Sequence, residues 1–164
     1  MGRKLLPKLD CAGLIDVSED NHPDFLDVFL LAKCQFALVS GSGPNSIPVV
    51  FGTPSIWTNN FPWIPAPLDS DLVLYKRVKE GDHFLSANKI LRRYAFTHSF
   101  DVLERDGISL VENSPEELLE GVKEMLQRVE TRNYKKTVHQ LMFDQIRSEA
   151  ELVKAGASQF RNPF

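Results

Sequence analysis

The sequence predicts an α/β fold with a mainly parallel sheet and helices on both of its faces. Three observations predict it. Apolar runs of strand length alternate with helical patterns along much of the chain. The run Phe36-Ala37-Leu38-Val39 is continuously apolar, as in a strand covered on both faces, and it ends in the glycine turn Ser40-Gly41-Ser42-Gly43. A further apolar stretch, residues 108–111, leads into Ser114-Pro115-Glu116-Glu117. That is a helix start with a cap, a proline at the first position and a glutamate three residues after the cap.

Taken in order, residues 1–13 are basic and lack periodicity, and Gly13-Leu14-Ile15-Asp16-Val17 is expected to form a short strand before a polar loop. Residues 25–33 read as a helix, because Phe25, Val28, Phe29 and Ala32 recur at the spacing of one helical face. Asp24 and Asp27 near its start and Lys33 near its end complement the helix dipole. After the glycine turn, Pro44 suits the first position of a helix that Pro48 keeps short or kinked and Gly52 ends. Residues 54–58 read as the next strand. Residues 59–68 carry Pro62, Pro65 and Pro67, and are expected to form an ordered loop anchored by Phe61, Trp63 and Ile64. Residues 71–75 and 108–111 are expected strands. Residues 86–93 are an expected helix capped by Ser86, and the helix begun at Ser114 runs to about residue 130 with Leu118, Val122 and Met125 inward. A last helix is expected over residues 134–154. Residues 1–155 then form a single domain, with residues 156–164 an irregular tail.

Composition narrows the function. The chain is 43% hydrophobic and 25% charged, with a formal net charge of -3 and its signs interspersed. No basic stripe marks a nucleic-acid binder, so no nucleic-acid partner is expected. No stretch approaches the ~20 apolar residues of a membrane span, and the first residues do not read as a secretory signal. Cys11 and Cys34 lack metal spacing and read as reduced thiols, so the expected location is the cytoplasm. His22, His83, His98 and His139 are scattered, and Asp16, Glu19, Asp20 and Asp24 read as a solvated acidic loop. No metal and no cofactor are expected. His22, beside Asp20, Asp24 and Asp27, would titrate near neutrality, although a capping loop is the simpler reading.

The glycine turn carries the chemistry. Glycine lets a ligand approach the backbone, and the first N–H groups of a helix have no intrahelical partner and lie at its positive end. Ser40, Ser42 and Ser46 add hydroxyls there, and Asn45 adds an amide. The pattern is neither a Walker sequence nor a dinucleotide fingerprint. A tight turn that binds nothing and an anion cradle are both compatible with it. In an open parallel sheet, however, ligands lie beyond the carboxyl ends of the strands, where this turn is expected. Trp57, Phe61 and Trp63 are candidate aromatic platforms; Trp57 reads as core and Trp63 as the better ligand candidate.

Three segments carry a resemblance. The first is Phe25-Leu26-Asp27-Val28-Phe29-Leu30-Leu31-Ala32-Lys33-Cys34-Gln35-Phe36, followed by Ser40-Gly41-Ser42-Gly43-Pro44. The second is Val50-Phe51-Gly52-Thr53-Pro54-Ser55-Ile56-Trp57-Thr58-Asn59. The third comprises Asp71-Leu72-Val73-Leu74-Tyr75-Lys76, Leu85-Ser86 and residues 107–117. Together, over roughly residues 13–130, they resemble a group of bacterial glycosyltransferases related to the nucleotide-sugar-binding, C-terminal half of two-domain GT-B enzymes. The resemblance implies a Rossmann-like three-layer domain that binds the donor, a nucleoside-diphosphate sugar, for transfer to an acceptor hydroxyl. It implies that Ser40, Gly41, Ser42, Gly43, Asn45 and Ser46 hold the diphosphate. It also places Ile15 and Asp16 near the base, Thr58 and Asn59 beside the sugar, and Lys76 against phosphate charge, with Trp63 nearby. The order of elements is also similar to the second domain of UDP-N-acetylglucosamine 2-epimerases. Those carry glutamates just after the glycines, where this chain has Asn45, Ser46, Ile47 and Pro48, which disfavours epimerase chemistry. No acceptor domain and no catalytic base are identified. The expectation is half of a two-domain enzyme, with a partner chain supplying the acceptor domain as one alternative and a non-catalytic interaction module as another.

Overall fold

The computed structural model describes residues 11–17, 23–41, 43–94 and 100–159. It is a mixed α/β arrangement with two three-stranded sheets, one parallel and one antiparallel. The expected mainly parallel sheet therefore accounts for only one of the two.

Helix α1, Asp24–Lys33, precedes strand β1, Ala37–Ser40. A 3-10 turn, Gly43–Asn45, feeds helix α2, Ser46–Phe51, which ends at Gly52 with φ 70°. Pro44 thus lies in the 3-10 turn rather than at the start of the α-helix. Pro48 falls in the first turn of α2, where its missing N–H would have had no helical acceptor anyway. The amides of Gly52 and Thr53 close the helix end on Val49 and Pro48 carbonyls, and left-handed Gly52 makes that closure possible. Strand β2, Ser55–Asn60, then pairs in parallel with β1, and strand β3, Leu72–Tyr75, pairs in parallel with β2.

In a parallel pair, partnered residues share a face, so Leu38, Ile56 and Leu72 lie on one side. Helix α5, Pro115–Thr131, covers that side, with Met125 packed among Ile56, Leu72, Leu74 and Val122. Leu38 nevertheless remains 53% exposed, because β1 is the edge strand. The continuous apolar run is therefore not covered on both faces.

After Tyr75 the chain leaves the parallel sheet. Strand β4, Arg77–Glu80, turns back through Gly81 and Asp82 into β5, His83–Phe84, and pairs on its other side with β6, Ile108–Val111. Gly81 has φ 58°, the first position of a type II′ hairpin turn. Helices α3, Ala87–Arg93, and α4, Phe100–Arg105, complete a second core of Val78, Ile90, Tyr94, Leu103 and Ile108. The Ser86 hydroxyl accepts from the Lys89 amide, as a capping serine does. Ser114 and Glu117 form the full capping box of α5. Helix α6, Val138–Gln159, packs on α3 through Leu91, Phe143 and Ile146. It continues through residues 156–159, so the first part of the expected tail is helical. Residues 13–17 form no strand; a turn at Ala12 and Gly13 leads into irregular backbone.

Candidate functional site at the carboxyl edge of the parallel sheet

The register of the parallel sheet assembles the site. Ser40 is paired with Thr58, and Asn60 with Tyr75, so the carboxyl ends of β1, β2 and β3 lie side by side. The glycine turn leaves from the first of these, Thr58 and Asn59 lie just before the end of the second, and Lys76 follows the third. This is the edge at which an open parallel sheet receives its ligands.

Most of the polar groups expected to reach a ligand instead shape this edge. The buried Asn45 side chain donates from Nδ2 to the Ser40 carbonyl, tying the end of the turn to the end of β1. The Ser46 hydroxyl donates to the Gly43 carbonyl at 3.1 Å. Thr58, also buried, donates to the Val39 carbonyl at 3.0 Å and so clamps β2 to β1. Each bond of this kind contributes about 0.5–1.5 kcal/mol, and more is lost when a buried partner is stranded.

Asn59 is held by a residue the sequence did not single out. Its amide donates to Asn113 Oδ1 at 2.6 Å, and the Asn113 amide donates to Asn59 Oδ1 at 2.7 Å. Asn113 Nδ2 donates to the Tyr75 carbonyl at 3.1 Å. Asn113 thereby binds the ends of β2 and β3 to the start of α5. Asn59 adopts φ 53°, a left-handed conformation that asparagine tolerates better than most residues. The only local signal for Asn113 was its place immediately before the capping serine. Its partner lies 54 residues away, which no local pattern reveals.

Lys76 pairs with Glu112 at 3.3 Å on the exposed surface. Trp63 is packed rather than presented: Nε1 donates to the Lys76 carbonyl at 3.0 Å, and the ring stacks on Tyr75 with centroids 5.1 Å apart. Trp57 is half-buried, and its Nε1 donates to Asp71. Asp71 accepts there and from the Ser55 and Leu68 amides, so one carboxylate ties β2 to the proline-rich loop. Burial pushes its pKa up, against the opposing effect of those three donors. Ile15 and Asp16 sit exposed in the irregular stretch, with Ile15 84% accessible. Ser42, His22 and His98 lie outside the described residues.

What remains open at this edge is the backbone of the turn itself. Chain neighbours aside, a Cβ built on Gly41 or Gly43 meets none of the described residues within 4 Å. Gly43 starts a right-handed 3-10 turn, and Gly41 does not take a left-handed φ. Gly52, Gly81 and Gly107 do take one, and a Cβ on Gly121 would meet Leu74 Cδ1 at 3.0 Å. Those glycines answer to the fold, whereas at 41 and 43 no positive φ and no crowding beyond the chain neighbours calls for glycine; Gly43 does precede Pro44, whose ring disfavours a helical backbone for a residue that carries a Cβ. Glycine at such a position lets something from outside come close to the main chain.

Among the described residues, no three His, Cys, Asp or Glu side chains cluster to hold a metal ion, and no helix is long and apolar enough to cross a membrane. No protein-family model, curated protein or solved structure matches the chain.

Proposed function

We propose that the chain binds the diphosphate of a nucleoside-diphosphate sugar over the glycine turn, as the donor-binding, Rossmann-like part of a glycosyltransferase. The observation that carries this reading is the pair Gly41 and Gly43, which face open space at the carboxyl end of a parallel strand. Main-chain N–H groups around Gly41 and Gly43 and the exposed Ser40 hydroxyl supply the donors. Asn45, Ser46 and Thr58 hold that backbone in shape through the bonds described above. In the complete reaction an acceptor oxygen attacks the anomeric carbon and the bond from that carbon to the diphosphate oxygen breaks. Fixed N–H donors stabilise the negative charge that grows on the leaving diphosphate.

Isothermal titration with UDP, GDP, ADP and their sugar conjugates tests the proposal. One nucleoside diphosphate is expected to bind at one site, and Gly43→Ala to weaken it at least tenfold while the protein stays folded. Silence from the whole panel sinks the reading.

A second reading, a module whose surface is completed by a partner chain, is favoured by a separate observation. Phe25 and Phe29 on α1, Leu38 on β1, and Val50 and Phe51 on α2 are all exposed. Exposed apolar side chains on the contacting helices α1 and α2, and on the edge strand β1, suit a protein contact. Sedimentation of the chain with and without the product of an adjacent gene distinguishes this reading, since nucleotide binding is not required for it.

A further inference from the structure

At the other edge of the parallel sheet from the glycine turn, a cavity of about 290 Å³ lies between β3, the proline-rich loop and helices α5 and α6. Tyr75 and Phe143, stacked with centroids 5.1 Å apart, and Leu68, Leu72 and Val73 give it an apolar lining. Its volume is at the lower end of the range for small-molecule sites.

One polar group in this lining is unusual. The Arg128 side chain is only 7% exposed. Its Nε and Nη2 both donate to Glu124 Oε1, at 3.1 and 2.6 Å, and Nη2 also donates to Gln140 Oε1 at 2.9 Å. Gln140 is fixed in turn by the Thr137 amide at 2.9 Å. Among the described residues, Nη1 has no hydrogen-bond partner. A guanidinium held rigidly on one side, with two N–H groups left over beside a partly apolar cavity, is an oriented donor for an acceptor oxygen.

Charge decides the class of ligand. Asp69, Asp71 and Asp144 line the cavity against Arg128 and Lys136, and Glu124 already neutralises Arg128. Lys136 is bound to Asp144 at 2.8 Å. An anionic ligand therefore meets no net positive field, whereas a neutral acceptor meets a fixed donor. We propose that this cavity is a binding site for a small neutral molecule with a flat or compact apolar body and one carbonyl or amide oxygen, which accepts from Arg128 Nη1. The site is independent of the glycine turn and of the function proposed for it.

The test uses phenylacetamide and phenylacetate, which share a body and differ in charge, with binding followed by titration calorimetry and ligand-observed NMR. Phenylacetamide is expected to bind the full chain and to do so more tightly than phenylacetate. Arg128→Met is expected to weaken phenylacetamide about tenfold, the scale of one hydrogen bond to a charged group. Ala66→Phe, at the cavity wall and away from the Arg128 network, is expected to abolish binding. UDP and GDP are expected not to compete. The proposal is overturned by any of four results: no binding of phenylacetamide up to its solubility limit, tighter binding of phenylacetate, unchanged affinity in Arg128→Met, or unchanged affinity in Ala66→Phe.

Discussion

Substituting alanine at Gly43, Gly52 and Gly121 separately should give three different outcomes, and the contrast tests the reasoning behind the candidate site. At Gly43 the new methyl, chain neighbours aside, meets none of the described residues within 4 Å and the backbone is a right-handed 3-10 turn. The unfolded chain loses conformational freedom, which favours the variant, while the ring of Pro44 opposes a Cβ on the helical residue before it, so stability should stay within about 0.4–1 kcal/mol of wild type. For a chain of this length that is roughly 1–4 °C in thermal midpoint. At Gly52, with φ 70°, alanine carries the left-handed penalty of about 1–2 kcal/mol, a fall of roughly 2–8 °C. Gly121 lies inside α5, where alanine improves helix propensity by about 1 kcal/mol. There the methyl would sit 3.0 Å from Leu74 Cδ1 in the sheet core, and overpacking costs about 1–3 kcal/mol, leaving a net loss of at most ~2 kcal/mol. Differential scanning calorimetry on the three variants reads all of this directly. If Gly43→Ala destabilises as much as Gly52→Ala, the fold itself requires glycine at 43. The case for a ligand facing the turn then fails, whatever the titrations give.

Asp71→Ala should cost about 2–4 kcal/mol, because it strands the fully buried Ser55 amide and removes the acceptor of two further donors; Asp69→Ala, on the exposed neighbour, should stay within ~0.5 kcal/mol of wild type in urea unfolding. The raised pKa of Asp71 adds a pH signature. The folded state holds the proton more tightly than the unfolded chain, so this contribution to stability is full below the ordinary value of 3.8 and is lost as pH rises through the folded pKa. The stability difference between wild type and Asp71→Asn should therefore shift against wild type as pH rises over that interval, and a difference that moves the other way refutes the assignment. Asn113→Ala should cost about 1–2 kcal/mol by equilibrium unfolding and expose the Asn59 amide to faster hydrogen exchange; unchanged exchange at Asn59 would show that the clamp does not hold.

Local signals were sufficient wherever the chain closes its own structure. The Ser114 capping box, the Ser86 cap and the Gly52 helix end are all contained within a few residues, and each appears as the sequence implies. The hairpin of β4 and β5 was missed because Arg77-Val78-Lys79-Glu80 offers a single apolar residue. Gly81-Asp82 between the strands was the available signal, the glycine supplying the positive φ of a two-residue turn. Conversely, residues 13–17 carry a strand-like composition yet form none, since composition supplies no pairing partner.

By itself the sequence determined the helix–strand–glycine turn–helix–strand unit from residue 24 to residue 60, because its caps, breakers and apolar spacings act over one or two turns of chain. It also marked the glycine turn that leaves the end of β1. Tertiary structure alone decided what the polar groups around that turn bind. It tied Asn45, Ser46 and Thr58 to main-chain carbonyls as braces, drew Asn113 across 54 residues to hold Asn59, and buried Arg128 beside a cavity at the far edge of the sheet. Hydrogen bonds between distant residues depend on how the elements pack, and packing is a property of the assembled chain that no stretch of sequence carries on its own.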